Sequence, residues 1–148
     1  MATTVTDSGL VKLLQDLVHL DYDAIRAYEA AIDRLEDDSF KSTLARYCAD
    51  HRAHTENLGA HLRALGADVP DGADWKKILT KGKVVIAGLI GDRAILAAML
   101  ANEEVTNKAY EAALEHEAAD PGVQQTLRAN LEDERRHRAW IEGTLERL

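Results

Sequence analysis

The sequence carries one helical pattern twice, and this repeat limits the folds that are open to the chain. Residues 28–32 (Tyr-Glu-Ala-Ala-Ile) match residues 110–114 (Tyr-Glu-Ala-Ala-Leu), and the same offset places Asp21 on Glu103. A shift of one further residue aligns the histidine-bearing segments that follow each copy. Self-similarity of this kind indicates two copies of one supersecondary unit. We therefore expect two similar helical hairpins packed about a pseudo-two-fold axis.

Four amphipathic helices, A to D, are predicted from the spacing of apolar residues. In each segment the apolar side chains recur at steps of three and four, the pattern of a helix with one buried face. Capping and turn residues separate the four segments. The expected boundaries, in chain order, are an Asp7 or Ser8 cap on helix A, a turn at residues 36–39, a Gly66 end of helix B, an Asp92 start of helix C and an Asp120-Pro121 start of helix D.

The segment between helices B and C, about residues 66–91, reads as a long connection over the bundle. It is rich in glycine, contains Pro70 and carries a short predicted helix around Trp75 to Leu79. The A–B and C–D turns are short, so each of these pairs forms an antiparallel hairpin. A four-helix bundle with one long crossover has the ferritin-like topology. We therefore predict an all-α, ferritin-like four-helix bundle in which residues 1–148 form a single domain.

Composition argues against several other classes of protein. The 148 residues are enough to bury a core without disulfides or a structural metal, and the formal net charge of −8 argues against a nucleic-acid surface. The single cysteine, Cys48, excludes an internal disulfide. We find no signal-peptide pattern and no apolar run of the roughly 20 residues that a membrane helix needs. The expectation is a cytoplasmic protein without nucleic-acid or membrane partners.

Acidic and histidine residues interrupt the apolar stripes at matching positions. Glu134 and His137 are three residues apart, so they project from one face of helix D, the face that carries its apolar series. A charge buried there has to be paired, hydrogen-bonded or bound to a metal. The pseudo-two-fold repeat would bring the interrupting residues of all four helices to one level. The candidate metal ligands are Asp21, His51, His54, Glu103, Glu134 and His137.

This arrangement resembles the ferritin-like superfamily, in particular the rubrerythrins and bacterioferritins, over nearly the whole chain. The Trp75 crossover and the stretch Asn102-Glu103-Glu104 make the chain most similar to an uncharacterised bacterial family of stand-alone four-helix proteins. The superfamily resemblance implies that helices A and C each supply one glutamate. It also implies that helices B and D each supply Glu-x-x-His, and that these residues together hold two irons.

His51 and Asp21 depart from the pattern that the resemblance implies. Asp21 is a shortened substitute for a glutamate, and His51 stands where the pattern has a bridging glutamate. A carboxylate can bridge two metals, whereas neutral imidazole offers one nitrogen to one metal. The alternatives are therefore one iron, a preference for zinc or manganese, two asymmetrically bound metals, or a vestigial site. The ligands that match the pattern are Glu103, Glu134, His137 and His54.

Three further residues lie on the inner faces of the helices. Tyr28 and Tyr110 each follow an interrupting acid by two helical turns, and core packing is expected of both rather than a redox role. Cys48 lies one turn before His51. It is either a sulfur ligand, which would favour zinc, or a small core residue.

These observations lead to two main hypotheses of function. The first is a metalloprotein that binds iron or another first-row metal and reduces oxygen or peroxide. Its electrons would come from a separate protein, because the chain has no rubredoxin-like cysteine module. The second is a metal-free four-helix scaffold or stress-associated interaction protein. Iron storage in a cage is a third interpretation and would require a large assembly. We also expect a homodimer, with the apolar segment 84–90 as its contact.

Overall fold

The computed structural model describes residues 4–72, 86–116 and 119–148, with side chains from Ser8 onward. Four α-helices, corresponding to the predicted helices A to D, run as α1 Thr4–Arg34, α2 Asp38–Ala64, α3 Asp92–Leu114 and α4 Pro121–Arg147. The described ranges contain no strand, and none of their helices is long and apolar enough to cross a membrane. The all-α, four-helix prediction is therefore confirmed. The predicted short helix at residues 75–79 lies outside the described residues.

The ends of α2 and α4 form where turn chemistry predicts them. Asp37 caps α2 by accepting two backbone hydrogen bonds from its first turn, and Gly66 follows the helix with a φ of 71°. Glycine adopts this left-handed conformation without steric cost, which makes it the usual residue after a helix. Asp120 caps α4, and Pro121 is its first residue. Capping and turn residues in the sequence therefore account for both ends of α2 and for the start of α4.

Helix α1 begins earlier than predicted, so the expected cap at Asp7 or Ser8 is wrong. The helix starts at Thr4, so Asp7 lies within its first turn. Asp92 is the first residue of α3, as predicted. Its carboxylate accepts hydrogen bonds at 2.8 and 3.0 Å from two backbone N–H groups of the α1–α2 turn. This contact joins the two hairpins at one end of the bundle.

Each helix packs against two of the others. Helix α1 lies against α2 and α3, and α4 lies against α3 and α2. The buried apolar side chains form two clusters, one that includes Tyr28, Leu44 and Ile95 and one that includes Leu14 and Leu58. Along every helix, the buried acidic and histidine residues fall between these two clusters. The polar cluster is therefore enclosed by apolar packing.

The apolar segment that was predicted as an oligomer contact is described only in part. Residues 84 and 85 lie outside the described ranges. Ile86 is buried in the cluster that includes Tyr28, whereas Ile90 is 88 % exposed. The homodimer contact stays a prediction.

Candidate metal centre

The six predicted site residues lie together in the interior of the bundle. His54 is the most exposed of them, at 1 % of its surface. Their potential ligand atoms form two groups of four, and within each group the atoms lie within 4.8 Å of one another. The first position consists of Asp21, His51, His54 and Glu134. The second position consists of His51, Glu103, Glu134 and His137.

In the first position, two histidine nitrogens and two carboxylate oxygens converge. His51 Nδ1 lies 2.7 Å from Asp21 Oδ1, and His54 Nδ1 lies 3.1 Å from the same oxygen. Glu134 Oε1 lies 3.4 Å from each of these nitrogens. Helices α1, α2 and α4 thus bring four donor atoms within reach of one ion.

The second position repeats this arrangement with α3 in place of α1. Glu103 Oε1 lies 3.3 Å from His51 Nε2 and 3.3 Å from His137 Nδ1. Glu134 Oε2 lies 3.8 Å from His137 Nδ1. The donors are again imidazole nitrogens and carboxylate oxygens. Both positions therefore share Glu134 and His51.

Cys48 belongs to neither group. It is buried, and its Sγ donates to the backbone carbonyl oxygen of Ile25 at 3.8 Å. Burial raises the pKa of the thiol and so disfavours the thiolate that binds metals. Of its two predicted roles, the small core residue is the one that the structure favours.

Two acids outside the cluster hold the outer nitrogens of two histidines. His54 Nε2 lies 2.9 Å from Asp133 Oδ2, and His137 Nε2 lies 2.8 Å from Asp50 Oδ2. Arg136 joins these acids, with Nη1 3.0 Å from Asp133 and Nη2 2.8 Å from Asp50. A carboxylate on one ring nitrogen fixes the orientation of a metal-binding histidine and raises its basicity. Both histidines therefore present Nδ1 to the cluster.

Two buried tyrosines donate hydrogen bonds to site acids. The Tyr28 hydroxyl donates to Glu103 Oε1, and the Tyr110 hydroxyl donates to Asp21 Oδ2 at 2.5 Å. Burial and the neighbouring carboxylates raise the pKa of both tyrosines well above the usual value, so both remain protonated donors. The prediction of core packing is therefore correct for the rings and incomplete for the hydroxyls.

These contacts reproduce the sequence repeat in three dimensions. The tyrosine of each hairpin donates to the acid on the first helix of the other hairpin. The outer acid of α2 holds the histidine of α4, and the outer acid of α4 holds a histidine of α2. The matched residues of the two hairpins are one residue further apart in the second helices, as for Asp50 and Asp133, than in the first helices, as for Tyr28 and Tyr110. This difference agrees with the shift in the sequence repeat. The pseudo-two-fold relation thus extends from the sequence to individual hydrogen bonds.

Sequence analysis did not identify the outer acids or the hydroxyl that supports Glu134. Asp50 and Asp133 directly precede His51 and Glu134, positions that the repeat already aligns, so the matched acids were visible in the sequence. Thr106 Oγ1 donates to Glu134 Oε2 at 2.9 Å. The sequence gives no comparable pattern for this threonine, because its contact depends on how closely α3 approaches α4.

Neighbouring carboxylates keep the metal-free histidines protonated. Burial alone would lower the pKa of His54, but the neighbouring carboxylates of Asp21 and Glu134 raise it to about 10. Burial is likewise outweighed at His137, whose two glutamate neighbours raise its pKa to about 9. The pKa of His51 also lies well above its usual value for the same reason. Without a metal, the histidines therefore act as the cations that balance the site carboxylates.

The pKa values of the three site carboxylates shift in different directions, because the histidines stabilise the three charges unequally. Burial raises the pKa of a carboxyl group, but contacts with His137 and His51 hold the pKa of Glu103 well below its usual range. The histidines also lower the pKa of Asp21. At Glu134, burial and the charge of Glu103 outweigh the histidines and raise the pKa. The Glu134 carboxylate is therefore the one that a bound cation would stabilise most.

Two buried polar atoms at the centre have no hydrogen-bond partner among the residues that the structure describes. They are Glu134 Oε1, in the first position, and His137 Nδ1, in the second. Each lies 3.3–3.4 Å from an oppositely charged side chain, so its contacts are ionic rather than well-directed hydrogen bonds. A cation at each position would give both atoms a direct partner, and mixed nitrogen and oxygen donors suit first-row ions such as iron and zinc. The residues present therefore fit a metal site.

A surface cavity of about 370 Å³ lies against the outer side of the second position. Its lining consists of Arg46, Tyr47, Asp50 and Arg136. Tyr47 stacks on His137 with ring centroids 4.2 Å apart, and Asp50 contacts the same histidine. A single layer of side chains thus separates this cavity from the second position.

Comparison with known proteins identifies the fold and the family. The X-ray structure of Dps from Thermosynechococcus elongatus superposes with a TM-score of 0.82 at 18 % sequence identity, covering 98 % of this chain and 95 % of that chain. This likeness confirms the ferritin-like four-helix bundle. No curated protein matches the sequence. A family model described as "Domain of unknown function (DUF2383)" matches residues 10–116, more than half of the chain. The chain therefore belongs to the DUF2383 family.

Proposed function

We propose that this protein binds iron, or a related first-row metal, at the two adjoining positions of the buried cluster. The observation that carries the proposal is the paired histidine geometry. His54 and His137 each turn Nδ1 toward the cluster, while Asp133 and Asp50 hold their outer nitrogens at 2.9 and 2.8 Å. Outer carboxylates of this kind accompany metal-binding histidines. The same combination of an outer carboxylate and an inward-facing nitrogen is present at both positions.

The donor set supports iron among the first-row metals. Three carboxylates and three imidazoles provide oxygen and nitrogen ligands without sulfur, a mixture that suits iron, manganese and zinc better than it suits copper(I). The ferritin-like fold adds an analogy at the level of fold.

The residues of the chain would serve this chemistry in distinct ways. Bound iron would supply electron transfer to dioxygen or hydrogen peroxide. Asp21 and Glu103 would act as terminal ligands, each held by a tyrosine hydroxyl, and Glu134 would serve both positions. The surrounding apolar clusters exclude bulk water. Electrons would come from a separate protein, because the one cysteine of the chain cannot form a rubredoxin-like centre.

Ferrous oxidation tests this function. Protein loaded with Fe²⁺ without oxygen is mixed with dioxygen or hydrogen peroxide, and ferric iron is followed by its absorbance. We expect rapid oxidation in the wild type and slow oxidation in Glu134→Gln, which removes the carboxylate shared by both positions. Glu104→Gln, one residue from Glu103 and exposed, is the matched control and should behave as the wild type. Equal rates in all three proteins would contradict the proposal.

A metal-free scaffold is the second candidate, and one observation favours it. The three histidines already form ion pairs with the three carboxylates of the cluster, so their charges balance in the metal-free state. A buried network of this kind can serve only to fix helix register. This alternative expects Glu134→Ala and His137→Ala to change stability and nothing else. Loss of bound metal from variants that keep their circular dichroism spectrum would exclude it.

A further inference from the structure

The two ring nitrogens of His51 face different positions of the cluster. Nδ1 lies 2.7 Å from Asp21 Oδ1 and 3.4 Å from Glu134 Oε1, both in the first position. Nε2 lies 3.3 Å from Glu103 Oε1, in the second position. His51 is fully buried, so neither nitrogen is turned to solvent. One imidazole therefore spans the two candidate positions.

The spacing around each nitrogen matches the spacing of ligands around one ion. Bonds of about 2.0–2.2 Å from a metal to nitrogen or oxygen place tetrahedral ligand atoms about 3.3–3.6 Å apart. In the first position, His51 and His54 lie 3.4 Å from Glu134 Oε1. In the second position, His51 and His137 lie 3.3 Å from Glu103 Oε1. The contacts of Asp21 Oδ1 with His51 and His54, at 2.7 and 3.1 Å, are shorter than this spacing, and the 3.8 Å contact of Glu134 Oε2 with His137 is longer, so metal binding would adjust these three contacts.

We propose that His51 bridges two metal ions, with Nδ1 bound in the first position and Nε2 bound in the second. This inference rests on the proposed metal binding and specifies how the two positions are joined. The histidine in place of a bridging glutamate then preserves a two-metal centre instead of abolishing it. The ions concerned are divalent first-row ions that accept imidazole nitrogen, such as Zn²⁺, Co²⁺, Cu²⁺ and Fe²⁺.

The proton balance of the bridge is simple. Both ring nitrogens of His51 approach carboxylate oxygens within hydrogen-bond distance in the metal-free protein. Each nitrogen that binds an ion releases its proton to solvent, so a filled centre holds His51 as an imidazolate. Asp21 and Glu103 lose these hydrogen bonds and bind the ions in their place. Glu134, whose two oxygens face different positions, supports the same pair of ions.

Zinc binding measured at one position at a time tests the bridge. Native mass spectrometry and competitive titration with Zn²⁺ should give two ions for the wild type. His137→Ala should keep only the first position, and His54→Ala only the second. Adding His51→Ala to each variant should lower the affinity for the remaining ion by at least about tenfold, since loss of even the outer partner of a ligand lowers metal affinity by this much. Far-UV circular dichroism checks that each variant folds.

The outcomes separate the bridge from the metal site itself. If His51→Ala lowers zinc affinity in only one of the two variants, His137→Ala or His54→Ala, then His51 is a ligand of one ion. In that case the bridge is wrong, while metal binding stands. A wild type that binds a single zinc ion also overturns the bridge alone. If the wild type binds no zinc and no iron, both the proposed function and the bridge fail.

A spectroscopic measurement on folded wild-type protein provides a test that does not depend on variants of His51. With two equivalents of Cu²⁺, electron paramagnetic resonance should show two coupled ions rather than two isolated signals. Isolated signals in the wild type would overturn the bridge.

Discussion

Asp50 and Asp133 offer a test of the two positions that leaves every proposed ligand in place. Each carboxylate accepts a hydrogen bond from the outer nitrogen of one histidine, at 2.8 and 2.9 Å, which are lengths of charge-assisted bonds. Asparagine keeps the size of the side chain and removes its negative charge, so the histidine becomes a weaker base. Asp50→Asn should therefore weaken metal binding by His137, in the second position. Asp133→Asn should weaken binding by His54, in the first position.

The magnitude follows from the geometry of the outer acids. Loss of the outer partner of a ligating histidine lowers metal affinity about 10- to 100-fold, or by about 1.4 to 2.7 kcal/mol. Both aspartate side chains are 30 % exposed, and Arg136 contacts both of them. Solvent and the arginine screen their charge, so we expect losses near the lower end of this range.

The assay is a competitive titration of Zn²⁺ against a chromophoric chelator with tag-free protein. Glu56→Gln on α2 and Glu132→Gln on α4 remove the same charge from exposed positions of the same helices, and they should bind zinc as the wild type does. The reasoning is refuted if Asp50→Asn and Asp133→Asn bind as tightly as these controls. It is also refuted if Asp50→Asn weakens the ion that remains in His137→Ala.

Three other predictions concern stability and the outer contacts. Tyr28→Phe removes the hydroxyl that donates to the buried, ionised Glu103, and a hydrogen bond to a charged group contributes about 1.5–3 kcal/mol, so the metal-free protein should lose about this much in its free energy of unfolding in urea; a loss below about 0.5 kcal/mol would contradict the role of the hydroxyl. Metal-free protein should also lose thermal stability as the pH rises from 6.5 to about 10. His54 and His137 have folded pKa values of about 10 and about 9, above their ordinary 6.5, so their stabilising charge is fully present below 6.5 and lost at high pH. Circular dichroism melts in chelator would show this decline, and a melting temperature that rises over this range would oppose it. Finally, Arg136→Gln should weaken zinc by no more than about fivefold, because exposed ion pairs contribute about 0–1 kcal/mol. Arg135→Gln, a neighbouring exposed position, is its control; a loss of both zinc ions from Arg136→Gln would show that the arginine has a larger role.

Much of the fold could be predicted because each helix carries its own start, end and buried face. Asp37, Gly66 and Asp120 occupy the turns that their chemistry favours. The start of α1 could not be placed in this way. Asp7 is as well suited to the first turn of a helix as to its cap, so local chemistry does not choose between the two.

The six central residues were identified because charge on an apolar stripe is conspicuous, whereas their supports are not. Asp50 and Asp133 lie at the edge of the stripe, where an acid normally faces solvent. They reach histidines of the neighbouring helix across the contact between α2 and α4. Similarly, the position of Tyr28 on its helix predicts a buried ring, but the acid that accepts from its hydroxyl lies on another helix. Contacts between helices depend on packing distance, which the pattern within one helix does not contain.

His51 shows what residue type alone cannot predict about the site. As a neutral imidazole it counts as a ligand for a single ion. The structure places an acid of the first position beside Nδ1 and an acid of the second position beside Nε2. Only the orientation of the ring between α1 and α3 makes both nitrogens available, and the sequence carries no pattern for that orientation.

The most direct test of the central claim is the metal content of tag-free protein, measured by inductively coupled plasma mass spectrometry before and after anaerobic loading with Fe²⁺. Glu134→Ala serves as the comparison, because Glu134 faces both positions. The metal-centre account predicts close to two irons per wild-type chain, lost in Glu134→Ala while the circular dichroism spectrum remains helical. Wild-type protein that retains no more iron than Glu134→Ala would contradict it.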